Sequence, residues 1–258
     1  GQLDCRSEQE KLSRPRCPQR WGSDEAGVVM ADHGFGGSPI ISGNLELPRT
    51  GAWTAEVFFA ATDAPSKGTT ADLIVGNTAR WGTVVDIAAD YLQVKARIVA
   101  GAGKLDTVLD ARDYRGFQAA QIAQDALRDA GEQTGTWSAL DIYCAHWTRS
   151  QGPCRESLRR VTRLLGRGEV AGADSTSLTT WRFGDDGVAD TVVDTFALNN
   201  AAFEHLASWG QERLLFLGMY DSNVRPGQSV QAWDTVRKLD RCLYEFGPNR
   251  FTMTAWYL

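Results

Sequence analysis

Three histidines, His33, His146 and His205, are the only imidazoles of the chain, and none stands in a pattern that does chemistry. An H-E-x-x-H pair or an H-x-E with a C-x-x-C would gather ligands and a base around a zinc ion; neither occurs. Glu204 and His205 are adjacent, so on a helix or a strand their side chains diverge. The cysteines are Cys5, Cys17, Cys144, Cys154 and Cys242, an odd number with no C-x-x-C, and a disulfide framework is not indicated. Cys144 and Cys154 bracket His146. A metal site there would need a fourth ligand such as Cys242, and the spacing matches no zinc pattern. Buried free thiols are the expected role. Cys5 and Cys17 could pair with each other, in a polar stretch where the signal is weak.

The remaining candidates have plain structural readings. Gly101-Ala102-Gly103 lacks the G-x-G-x-x-G spacing and the Lys-Ser/Thr of a phosphate loop, so a turn is expected. Gly-x-Ser-x-Gly, the nucleophile elbow, does not occur. Asp185, Asp186 and Asp190 look like a carboxylate cluster, and beside Gly187 they read as hairpin-turn residues. Arg155, Arg159, Arg160 and Arg163 share the outer face of a predicted helix; they could hold a phosphate or an acidic partner, and a solvated face is the simpler reading. Nine tryptophans are scattered through every segment, which suits core and interface packing better than a sugar-stacking platform. The sequence thus offers no catalytic, cofactor-binding or metal-binding residue.

The elements that carry these residues are mostly strands. Residues 1–37 are rich in Arg, Glu, Ser, Pro and Gly, end in Gly34-Phe35-Gly36-Gly37, and read as an extended arm. Ala55 to Thr62 and Ala71 to Gly76 are short apolar runs. From Asp90 to Gly101, Leu92, Val94, Ala96 and Ile98 alternate with Gln93, Lys95 and Arg97, the period of a strand with one buried face. The period then changes. Phe117 to Ala130 puts Ile122, Ala123, Ala126, Leu127 and Ala130 on one helical stripe ending at Gly131, and Pro153 to Leu165 reads as a second helix along Leu158, Val161 and Leu165. Strands return at Leu178 to Phe183 and Val188 to Phe196 around the turn Gly184-Asp185-Asp186-Gly187. Phe203 to Trp209 reads as a short helical turn, and Arg213 to Met219 as a strand. A turn follows at Arg225-Pro226-Gly227-Gln228, then a closing hairpin from Leu239 to Leu258. The fold class is α+β, mostly β, with two β-barrel-like regions around a small helical insert. The expected divisions are residues 1–37 (arm), 38–105 (first barrel-like region), 106–170 (α/β insert) and 171–258 (second barrel-like region).

A formal net charge of −5 argues against tight nucleic-acid binding by phosphate contacts and suits a conduit that DNA passes without sticking. No apolar run is long enough for a membrane span, the N-terminal residues lack a signal-peptide core, and the cysteine usage fits synthesis in a cytoplasm.

Several segments, in order, resemble the hub proteins of phage tails and related prophage particles: GNLELPRTGAWTAEVFF from Gly43; the stretch from Arg80 to Glu132, which opens Arg-Trp-Gly, passes Tyr-Arg-Gly and ends Ala-Gly-Glu; Trp147 to Gly166; the Trp-Arg…Asp-Gly hairpin of Thr180 to Thr195; and VRPGQS from Val224. The resemblance covers most of the chain from about residue 38. It implies a structural, non-enzymatic protein, a homotrimeric ring at the distal end of the tail tube. That ring would join tube and distal tail proteins to the central tip or spike and leave a channel for the tape measure protein and DNA ejection. The implied location is the virion tail, after synthesis in the host cytoplasm, with no cofactor. The alternatives are a tail-associated cell-wall hydrolase using carboxylates such as Glu204 or Asp190, and a carbohydrate-binding module using exposed Trp.

Overall fold

The computed structural model describes residues 33–89, 92–137, 140–165, 179–193, 198–199, 204–209, 213–219, 224–232, 235–248 and 250–257. All fall in one compact unit, Ala31–Leu258; the other unit, Gly1–Met30, lies outside the described residues, and with it the expectations for Cys5 and Cys17. The first half contributes Gly34–Phe35 (β1), Ser38–Pro39 (β2), Ser42–Pro48 (β3), Thr54–Ala60 (β4), Thr70–Val75 (β5), Thr78–Ala89 (β6) and Gln93–Ala100 (β7). The insert holds Val108–Leu109 (β8), Arg112–Gln118 (β9), Ala119–Ala130 (α1), Tyr143–Arg149 (β10), Gly152–Pro153 (β11) and Cys154–Leu165 (α2). The second half holds Thr179–Phe183 (β12), Ala189–Val193 (β13), Leu198–Asn199 (β14), Glu204–Trp209 (β15), Arg213–Met219 (β16), Ser229–Ala232 (β17), Thr235–Gly247 (β18) and Arg250–Tyr257 (β19).

The chain is α+β and mostly β. Among the described residues the two strand-rich halves share one sheet of 13 strands, in the order β15-β16-β19-β18-β3-β4-β7-β6-β5-β1-β2, with β14 and β17 joined beside β18. The seam between halves is the antiparallel pair β18–β3, from Arg241 opposite Pro48 to Phe246 opposite Gly43. Period-two alternation explains why these segments are strands. In β7, Val94, Ala96 and Ile98 are buried while Gln93 and Arg97 face solvent. Leu92 departs from that reading: it precedes the strand and is 83% exposed. The Gly34-Phe35-Gly36-Gly37 end of the N-terminal stretch forms β1 and its turn into β2, and it docks on β5 with Phe35 in the core.

The helical stripe falls where the sequence put it. Ile122, Ala123, Ala126, Leu127 and Ala130 of α1 are buried, as are Leu158 and Val161 of α2; the side chain of Leu165 lies outside the described residues. Phe117 and Gln118 belong to β9 rather than to the helix. At the other end Gly131 is left-handed, with φ 83°, and two backbone bonds close the helix: Gly131 N–H donates to the Arg128 carbonyl and Glu132 N–H to that of Leu127. The expected helical turn at Phe203 to Trp209 is corrected: Glu204–Trp209 is strand β15, paired with β16 along its length. A segment this short cannot offset helix nucleation, and the apolar β16 offers a ladder instead. The ribbon β9–β10 has no apolar alternation to announce it. Polar contacts hold it to α1: Tyr114 Oη donates to Asp125 at 2.9 Å and Arg149 Nη2 to Asp129 at 2.6 Å.

Candidate functional site

Three of the segments behind the family resemblance, Arg80–Glu132, the hairpin and the Val224 turn, converge on one junction. The hairpin β12–β13 turns through Gly184-Asp185-Asp186-Gly187, with Gly187 N–H donating to the Gly184 carbonyl and Gly184 N–H to that of Val188. Gly187 sits at φ 74°, the left-handed residue that such a hairpin loop needs. A Cβ there would come within 2.5 Å of Trp81, so only glycine lets the turn seat on the Arg-Trp-Gly segment of β6. Trp81 N–H donates to the Asp185 carbonyl at 2.7 Å. The Asp185 carboxylate lies 3.2 Å from Arg80 Nε and 2.7 Å from Arg225 Nη2, tying β6, the hairpin and the Val224–Gln228 turn together. Arg80 is 2% exposed, so this guanidinium depends on that one carboxylate. Arg182 adds a 2.6 Å bond to the Pro226 carbonyl, and Tyr244 Oη anchors the same turn by donating to the Val224 carbonyl at 2.7 Å.

The Ala-Gly-Glu end of α1 reaches the same place. The buried Glu132 carboxylate accepts Ala102 N–H at 2.8 Å and Lys104 N–H at 2.5 Å, holding the Gly101-Ala102-Gly103 turn. Burial pushes the Glu132 pKa up, against the pull of those two bonds and of Lys104. Gly101 is packed so closely that a Cβ would meet Phe183 at 2.5 Å and Glu132 at 2.6 Å. The turn is therefore a joint between insert, first sheet and hairpin. Beside it opens a groove of about 600 Å³ between the outer face of β4, β6 and β7 and the first turns of α2.

The other candidates lie apart. His33 packs its ring on Phe246 and Phe251, and its Nδ1 accepts the Gly76 N–H at 3.3 Å. His146 stands exposed on β10, 3.9 Å from Asp113. The side chains of Glu204 and His205 lie outside the described residues. Cys144, Cys154 and Cys242 are free and buried, as expected; burial pushes Cys154 and Cys242 up to about 12 each, and Cys154 donates to the Ala126 carbonyl. Among the described residues no three His, Cys, Asp or Glu side chains gather as metal ligands. Asp185, Asp186 and Asp190 have separate roles: Asp185 binds arginines, and Asp186 Oδ1 caps the turn by accepting Val188 N–H at 3.0 Å. Asp190 is raised by burial, and its Oδ1 has no hydrogen-bond partner. On α2, Arg155 pairs with Asp106, Arg159 with Glu156, and Arg160 bonds Ser150. Trp53, Trp137 and Trp181 are buried, and Trp256 is half-covered by Arg241, whose guanidinium lies 3.9 Å above its ring. Sequence reasoning missed Arg80 and Glu132 as key residues. Their signal was a charged residue within two positions of a glycine at each end of one segment, Arg80 before Gly82 and Glu132 after Gly131.

No protein-family profile matches the chain, and no curated protein matches it. Solved structures do. The 43 kDa tail protein of prophage MuSo2 from Shewanella oneidensis superposes with a TM-score of 0.66 at 10% identity, covering 88% of this chain and 96% of that one. The E. coli c3393 protein, a type VI secretion system component described as structurally similar to the T4 tail proteins gp27 and gp5, gives 0.63 at 11% identity over 88% and 76%. A tail protein from Neisseria meningitidis MC58 gives 0.62 at 8% identity over 88% and 95%. The chain has the fold of these proteins.

Proposed function

We propose that the chain is a structural, non-enzymatic component of a phage or phage-like tail: a hub that forms a homotrimeric ring at the distal end of the tail tube. The ring joins the tube to the central tip or spike and leaves a channel for the tape measure protein and DNA. The observation that carries this reading is the fold shared with two tail proteins and a secretion-system component along 88% of the chain. The junction supports it, because the motifs behind the resemblance serve as joints between segments, with their charged groups engaged by one another. The net charge of −5 suits a lumen that repels phosphate.

The test is the mass of the purified full-length chain in solution together with its position in the assembled particle. A threefold ring on the tail axis is expected, with a channel wall enriched in Asp, Glu and small polar residues. A monomer on the outer surface of the tail overturns the hub, and a channel lined mainly by arginine overturns its electrostatic part. Release of sugar ends from purified peptidoglycan by the chain would favour the hydrolase alternative instead.

A further inference from the structure

The arginines on the outer face of α2 are not equivalent. Arg155 is matched by Asp106 and Arg159 by Glu156. Arg160 makes no ion pair among the described residues; its Nη1 bonds the Ser150 hydroxyl at 3.0 Å. Glu156, one turn earlier on the helix, is taken by Arg159 and lines the groove beside the junction instead. Arg160 lines a different and much smaller cavity, between α1, α2 and the end of β10, with Arg149, Ser150 and Ser157. Ile122 and Val161 are its apolar wall, and among the described residues no carboxylate lines it.

Two of these groups are buried donors with a bond to give. Arg149 is 5% exposed: Nε donates to the Asp110 carbonyl at 3.2 Å and Nη2 to Asp129 at 2.6 Å, while Nη1 is buried without a partner. Ser157 is buried too, and its hydroxyl makes no hydrogen bond among the described residues, whereas Thr162 on the same helix bonds the Leu158 carbonyl at 2.9 Å. Buried donors left unpaired are rare in a folded protein, and a bound ion is one of the few things that account for them. The charge balance is also definite. Asp125 and Asp129 answer Arg112 and Arg149. Asp113 accepts the Thr148 hydroxyl and lies 3.9 Å from His146, outside ion-pair distance of Arg160. The uncompensated charge at the cavity is therefore that of Arg160.

We propose that this cavity binds a phosphate-type oxyanion, one oxygen entering beside Arg149 and Ser157 and the charge resting on Arg160 at the mouth. A volume of about 10 Å³ is room for one oxygen-sized group. The other oxygens stay at the mouth, where the exposed Arg160 can fork onto two of them. Donors that arrive from both β10 and α2 suit a tetrahedral anion; a planar carboxylate is served by a single guanidinium. Bound there, the anion ties α2 to β10.

The probe is sodium phosphate, titrated into the full chain at constant ionic strength and about pH 7.5, where a phosphate group carries close to two negative charges. Isothermal titration calorimetry reads the binding, with sodium acetate as the carboxylate arm and sodium chloride as the ionic-strength arm. The expected result is saturable binding of phosphate, absent with chloride and several-fold weaker with acetate. Arg160→Gln, at an exposed position, should weaken it roughly tenfold, the size of one charge-assisted hydrogen bond. Ser157→Ala should weaken it several-fold, and Arg163→Gln, on the same helix but outside the cavity lining, should leave it unchanged. A titration without saturation, which a cavity that holds only water would give, overturns the proposal. So does equal binding of acetate, full retention of binding by Arg160→Gln or by Ser157→Ala, or equal loss with Arg160→Gln and Arg163→Gln.

Discussion

Asp185→Ala tests the junction most directly. The substitution removes the carboxylate 3.2 Å from Arg80 and 2.7 Å from Arg225. The two arginines are not equivalent. Arg225 is 41% exposed and can rehydrate, so its share is that of a surface pair, about 0.5 kcal/mol. Arg80 is 2% exposed, and an arginine cannot shed its proton to escape burial. Breaking a buried pair from one side costs about 3–5 kcal/mol; the Asp185 side chain is itself 34% exposed, which lets water approach and places the expected loss near the lower end, about 3 kcal/mol. For a chain of this size that corresponds to a fall in Tm on the order of 6–12 °C. Chemical denaturation of Asp185→Ala, Arg225→Ala and the double variant Arg80→Met with Asp185→Ala provides the measurement. The double variant should be more stable than Asp185→Ala alone, because the buried charge is gone. Should Asp185→Ala cost no more than Arg225→Ala, the dependence of Arg80 on that carboxylate is refuted.

Three further outcomes are expected. Gly187→Ala should lower stability by about 2–4 kcal/mol, from left-handed strain together with a Cβ 2.5 Å from Trp81; a neutral effect in thermal melts would mean that the turn does not seat on β6. Native protein treated with a thiol reagent at mildly alkaline pH should react at no more than two of its five cysteines, since Cys144, Cys154 and Cys242 are buried; rapid reaction of a third would contradict their burial. Glu132→Gln should cost about 1–3 kcal/mol, because one amide oxygen cannot accept both the Ala102 and the Lys104 N–H. The pH dependence of that loss has a definite sign. Burial raises the folded-state pKa of Glu132, so the folded chain keeps this proton at pH values where the unfolded chain has released it. Stability from this group is therefore present at acid pH and lost as pH rises through the folded pKa. The gap between wild type and Glu132→Gln should narrow as pH rises above the ordinary carboxylate range; a gap that widens would show that the two backbone bonds outweigh desolvation.

The parts of the fold legible in the sequence are those where one face meets a core. Val94, Ala96 and Ile98 fixed β7, and Ile122 to Ala130 fixed α1, because burial imposes a period that composition cannot hide. The hairpin at Gly184–Gly187 was legible for a different reason: Asp-Gly is a local conformational code. The ribbon β9–β10 was not, since Tyr114 and Arg149 are secured by carboxylates from α1 and leave no apolar rhythm. Residues 204–209 failed for the complementary reason. Their structure is set by the neighbouring strand β16 and not by their own pattern. Arg80 and Glu132 look like surface charges in isolation. Their importance depends on partners far along the chain, Asp185 for the one and the Ala102 and Lys104 amides for the other.

That distance is what gives the junction its meaning. An apolar contact between hairpin and sheet tolerates sliding, because hydrophobic attraction has no direction. An N–H of Trp81 on the Asp185 carbonyl and two amides on Glu132 each have a direction, and with the buried Arg80 ion-paired to the Asp185 carboxylate they leave few relative placements of β6, the hairpin and the end of α1. Such contacts add less net stability than an equal area of packed methyls, since desolvation offsets much of the attraction. Their recurrence at the points where separate segments meet is accounted for by geometry more than by stability. A subunit that passes its position to neighbours needs its own segments in fixed register, and the groove lined by Gly51, Gly103, Trp181 and Arg155 takes its shape from this joint.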